Sequence, residues 1–97
     1  MTEPLSSAQI RKLKGLAQRL DATLKVGKQG LSDAFLAGVD EALRSHDLIK
    51  VKFAEFKEDK KTLAPQLAEK TGSHLVTRVG NVAVLFRRKL VEIPEEE

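Results

Sequence analysis

The chain has 97 residues, 41% hydrophobic and 32% charged, with no cysteine, tryptophan or tyrosine. That size suits one domain with a single core, and the apolar content excludes a disordered chain. Without cysteine there are no disulfides, thiolate metal sites or cysteine nucleophiles. The net charge of +3 is unevenly spread: residues 1–91 hold all 17 Lys and Arg against ten carboxylates, whereas Glu92, Glu95, Glu96 and Glu97 form an acidic tail.

A compact body with a surplus of seven positive charges attracts polyanions, although solubility alone also accounts for such a balance. No apolar run is long enough to span a membrane. The first residues, MTEPLSSAQI, lack a basic region followed by an apolar stretch, so the expectation is a cytoplasmic protein with no membrane partner.

Ser6 or Ser7 can cap a first helix running to about Leu20. Ile10, Leu13, Leu16, Ala17 and Leu20 share one helical face, and Arg11, Lys12, Lys14, Gln18 and Arg19 occupy the other. A charged outer face is usually mere solvation, but this one contains no acid, which favours a binding surface. TLKVG, residues 23–27, reads as a short strand with Leu24 and Val26 inward and Lys25 outward. A second helix is expected from about Ser32 to His46, with Phe35, Leu36, Val39, Ala42 and Leu43 inward. Asp33, Asp40 and Glu41 lie outside with only Arg44 to offset them, so only its N-terminal end suits a polyanion. His46 is expected to pack near the helix end.

LIKVKFAEF, residues 48–56, alternates as a strand does: Ile49, Val51 and Phe53 face one side, Lys50 and Lys52 a wet basic side. A third helix is expected over roughly 62–71, with Thr62 as N-cap, Pro65 in the first turn where its missing N–H is not needed, and Gly72 ending it. An earlier start with a kink at Pro65 is the alternative. Two strands around Gly80-Asn81 complete the pattern as a tight hairpin. The order α-β-α-β-α-β-β predicts an α/β domain over residues 1–91, a four-stranded mixed sheet packed with three helices, and residues 92–97 are expected to be a disordered tail.

Nothing in the sequence assembles a catalytic or metal constellation. His46 and His74 lie in different elements, the acids are scattered, and neither a nucleophile elbow nor a Walker or dinucleotide-binding glycine pattern occurs. The expectation is no enzyme, no metal, no cofactor and no small-molecule substrate.

The distinctive stretch is KVGKQGLSDAF, residues 25–35. Gly27 and Gly30 bracket Lys28 and Gln29 between a strand and a helix N-terminus. A tight turn needs glycine in any case. The same loop can present backbone N–H groups and a lysine to a phosphate, as the Gly-x-x-Gly loop of KH domains does. Lys25, Lys50 and Lys52 are expected nearby. Phe35 and Phe53 fall on apolar faces and Phe56 and Phe86 read as buried as well, leaving no aromatic platform for bases. Recognition is then expected to rest on backbone and shape.

The sequence LSSAQIRKLKGLAQRLDATLKVGKQGLSDAFLAGVDEALRSHDLIKVKF, with TGSHLVTRVGNVAVLFR later, resembles the CRM domain (chloroplast RNA splicing and ribosome maturation), most closely its bacterial stand-alone YhbY-like form. The resemblance covers about residues 5–88. It implies a fold similar to the C-terminal domain of translation initiation factor 3 and binding to RNA of the large ribosomal subunit precursor. The family's loop falls on Gly27, Lys28, Gln29 and Gly30, and its basic first helix on Arg11, Lys12 and Lys14. Lys25, Lys50 and Lys52 complete the expected site, with a monomer the simpler form. The acidic tail departs from the family pattern, and a role in shielding the basic surface is expected for it. A protein adaptor docking an acidic partner on the first helix is the competing reading.

Overall fold

The computed structural model describes residues 5–87. Its elements are α1 (Ser7–Ala17), β1 (Leu24–Val26), α2 (Asp33–Ser45), β2 (Leu48–Phe53), a 3₁₀ turn (Lys57–Asp59), α3 (Lys60–Thr71), β3 (His74–Val79) and β4 (Val82–Phe86). The sheet order is β1-β2-β4-β3. β1 runs parallel to β2, and β4 is antiparallel to both β2 and β3. The expected mixed sheet with three helices is what forms. The acidic tail at 92–97 and the domain boundary expected at 91 lie outside the described residues.

Strand alternation sends successive side chains to opposite faces of the sheet. Val26, Ile49, Val51, Phe53, Ala83 and Leu85 join Val39 and Leu43 of α2 and Ala64, Leu67 and Ala68 of α3 in the larger core cluster. The intervening residues Leu48, Val76, Val84 and Phe86 meet Ile10, Leu13 and Ala17 of α1 on the other face. The molecule is therefore a sandwich with two helices on one side and α1 alone on the other.

Local chemistry sets the helix limits. α1 opens with a capping box: Ser6 Oγ accepts from the Gln9 N–H at 3.1 Å, and Gln9 Oε1 accepts from the Ser6 N–H at 2.8 Å. It ends at Ala17, short of the expected Leu20, where Arg19 and Leu20 tighten into i→i−3 bonds. Leu16 and Leu20 are exposed, not buried as expected. Ile10, Leu13 and Ala17 form the stripe that meets the sheet, Leu16 lies off it, and Leu20 falls beyond the helix. Ser32 caps α2 by accepting from the Phe35 N–H, and His46 at its other end is exposed, not packed.

α3 starts at Lys60, earlier than the expected Thr62 cap, because the 3₁₀ turn leads straight into it. Pro65 therefore sits inside the helix, on its exposed side, where the carbonyl freed by the missing N–H can be hydrated. Gly72 closes α3 with φ 64°, the left-handed conformation glycine tolerates best.

Asp40 does more than decorate α2. The Arg87 guanidinium donates to its carboxylate at 2.7 Å, to its backbone carbonyl at 3.1 Å and to the Thr71 carbonyl at 2.8 Å. This arginine ties the end of β4 to α2 and to the end of α3. Its hydrogen bond holds the Asp40 carboxyl below the usual range, with burial opposing and the charges of Arg87 and Arg44 assisting.

Candidate nucleic-acid interface

β1 ends at Val26, and the chain reverses at once through Gly27–Gly30. The Gly30 N–H donates to the Gly27 carbonyl at 3.0 Å, which closes the turn. Gly30 has φ 65°, and a Cβ added there would stand 3.4 Å from the Phe56 ring. This position requires glycine on both counts. Gly27 differs. Its φ is ordinary, and an added Cβ would meet nothing within 4 Å. The expectation that a tight turn uses both glycines is correct only for Gly30.

The spent N–H of Gly30 is not available to a ligand. The central N–H groups, of Lys28 and Gln29, take no protein partner among the described residues, and both residues are exposed. The loop thus offers two donors and a lysine at an open tip. Asp33, in the first turn of α2, sets the acidic limit of this end.

Register brings the strand lysines together. Lys25 of β1 lies opposite Lys52 of β2, about 4.8 Å away across the ladder. Both are exposed on the α1 face of the sheet, on the part α1 leaves uncovered. Lys50 is one alternation further along β2. Its ammonium donates to the Leu20 carbonyl at 2.8 Å, so it also fastens the segment after α1. Lys14 of α1 and Gln18, its C-cap, line a shallow groove with Lys50, Val82 and Val84. Helical spacing places Arg11 on the same flank as Lys14 and Lys12 on the opposite flank.

The structure therefore brings Lys25, Lys52, Lys50 and Lys14 to one face of the sheet, with Lys28 exposed on the loop that follows β1, Arg11 on the Lys14 flank and Lys12 apart. Among the described residues, none of these cations pairs with a carboxylate; the ion pairs are those of Asp40 with Arg44 and Arg87. Lysines unpaired with carboxylates on one surface leave their charge free to attract phosphates. Among the described residues no group of three His, Asp or Glu side chains is placed to hold a metal, and no helix is long and apolar enough to cross a membrane.

The sequence reading missed Phe56. It is 40% exposed and not buried. β2 ends at Phe53, and period two would in any case set residue 56 on the face opposite Phe53, with Lys50 and Lys52. Phe56 instead adopts φ 57°, ψ 36° before the 3₁₀ turn, with its ring beside Gly30. The signal was present in the sequence, since a polar, lysine-rich run follows directly and makes a continuing strand unfavourable.

Comparison with known proteins fits this geometry. The family model for the CRS1 / YhbY (CRM) domain matches residues 5–87. An "RNA-binding protein" of Haemophilus influenzae is 37% identical over 84 residues, covering 86% of this chain and 85% of that protein. The "Probable RNA-binding protein YqeI" of Bacillus subtilis is 35% identical over 95 residues, covering 93% and 99%. The solution structure of the hypothetical protein SAV1595 from Staphylococcus aureus superposes with a TM-score of 0.76 at 35% identity, over 94% of this chain and all of that one.

Proposed function

Because the chain belongs to the CRS1 / YhbY (CRM) domain family, we propose that it binds RNA without catalysing a reaction, and that its target is ribosomal RNA of the large-subunit precursor. The names of its bacterial relatives support the first half. The family resemblance in the loop, the first helix and the terminal hairpin supports the second.

The observation that carries the proposal is the Gly27–Gly30 turn. It keeps two backbone donors unpartnered at its tip, and its first glycine is sterically unconstrained by the protein. A glycine that the fold does not require leaves room for another backbone to approach. The Lys25–Lys52 pair beside it supplies the field that holds a phosphate chain there. Lys14, Lys50 and Arg11 extend that field, and Lys12 contributes at longer range.

Replacing Lys28 and Gln29 together with Asp tests the loop. Both side chains are exposed, so thermal stability is expected to stay nearly constant while RNA affinity falls at least about tenfold, the equivalent of one or two lost phosphate contacts. Undiminished affinity sinks the loop as the grip. Crosslinking in cells followed by sequencing of the bound RNA tests the target; recovery of RNA other than large-subunit precursor overturns the ribosomal half.

A further inference from the structure

On the far side of the same loop lies a groove of about 520 Å³, lined by Gly30, Phe56, Asp59, Thr62, Gln66 and Lys70 with Leu31 and Leu63 at its floor. Its size is within the range of small-ligand sites. Thr62, Gln66 and Lys70 come from successive turns of one α3 face. We propose that this groove holds an unpaired nucleobase stacked on Phe56, so that the RNA read by this protein is single-stranded where it crosses the loop. This rests on the RNA-binding reading above and deepens it.

Three observations converge. Phe56 is the one exposed aromatic of the four phenylalanines in a chain with no Trp or Tyr. It is also the one non-glycine residue with positive φ among the described residues. A bulky side chain in that conformation is strained, and such strain persists where the surroundings or a function over-determine it. Finally, its ring rests beside Gly30, so the stacking surface and the phosphate-binding turn share a wall.

Chemistry separates the two sides of the loop. Lys25 and Lys52 occupy the α1 face, where phosphates gain most. The groove opens on the α2–α3 side, and its wall mixes apolar surface with one carboxylate, Asp59, and one ammonium, Lys70, so it has no net positive charge to draw a phosphate in. A base carries no charge and needs no such field. It presents a π face to Phe56 and a polar edge to Thr62, Gln66 and Asp59, which together offer donors and acceptors. A duplex could not enter, because its bases are already stacked and paired.

The test compares single-stranded oligoadenylate with inorganic polyphosphate, a polyanion without bases, by equilibrium binding to the full chain. Phe56→Leu keeps apolar bulk and removes the ring. Its affinity for oligoadenylate is expected to fall about five- to a hundredfold, with polyphosphate binding unchanged. Equal losses for both probes, or no loss for either, overturn the proposal. Phe56→Trp retains a ring and installs the chain's sole tryptophan, so its emission should be quenched by oligoadenylate and unaffected by polyphosphate. Unchanged emission at saturating oligoadenylate overturns the proposal even if the leucine variant folds poorly. A wild-type chain that binds neither probe defeats the basic-surface reading itself. A chain that binds oligoadenylate with no role for Phe56 defeats only the stacking site.

Discussion

The two faces of the sheet are built to different standards. On the α2–α3 side, eleven buried residues from five elements interlock, eight of them with no measurable exposure. On the α1 side, three buried residues suffice, and only Ala17 of the helix itself is among them. The heavily packed face fixes the fold. The lightly packed face keeps lysines in solvent, because a helix that covered β1 as well would bury Lys25 and Lys52. Stability and charge display are thus separated across a single sheet, and the Gly27–Gly30 turn sits at the edge where they meet.

The largest expected effect probes the packed side. Leu67→Ala, at a fully buried site, should cost about 2–5 kcal/mol in chemical denaturation. Leu13→Ala on the half-buried α1 stripe should cost about 1 kcal/mol, since less area leaves water. Equal losses would show the two faces to be energetically alike and break the contrast.

Next in size is a double reversal on the open side. Lys25→Glu with Lys52→Glu should weaken RNA binding by one to two orders of magnitude at low salt and flatten the dependence on salt. Lys61→Glu, on the α3 flank turned away from the groove, should do much less. Filter binding across a salt series separates the two, and comparable losses would mean that net charge matters and its placement does not.

The smallest effect concerns acid. Asp40 has a folded pKa below its unfolded value of about 3.9, through the Arg87 hydrogen bond first. Its contribution to stability is therefore fully present above that unfolded value. It fades as pH falls through the lower folded value, where the protonated carboxyl no longer attracts Arg87. Asp40→Asn should lower the melting temperature by a few degrees at neutral pH and converge with the wild type in strong acid. A constant difference across pH 2 to 7 would remove Asp40 as the titrating group. Because Asp40 is partly exposed, solvent screens the pair and keeps the effect modest.

Most of the architecture was legible because alternation and helical period are local. Ile49, Val51 and Phe53 announced β2, and Ser32 and Gly72 announced helix limits with their own chemistry. The loop was legible for the same reason. What escaped depends on partners distant in sequence. The lysines were expected near one another, but the register that sets Lys25 directly opposite Lys52 was not, and Arg87 reaches Asp40 across 47 positions. Leu16 misled because it stands about 100° around the helix from Ala17, outside the stripe that meets the sheet, and Leu20 because α1 ends before it. Phe56 misled because hydrophobicity was read as burial, whereas the strand stops before that residue and the backbone turns its ring out.

The position of β4 has a consequence for how the chain acquires its shape. The last strand in sequence among the described residues, β4, is an interior strand, between β2 and β3. Until Val82–Phe86 has left the ribosome, β2 lacks one neighbour and β3 has none. The parallel β1–β2 pair is then left with an unsatisfied hydrogen-bonding edge. The Arg87 fastening that joins three elements is also the latest of these contacts to become available. Folding of this domain is accordingly a late event in its own synthesis, completed by β4 and not built up in order from its first helix.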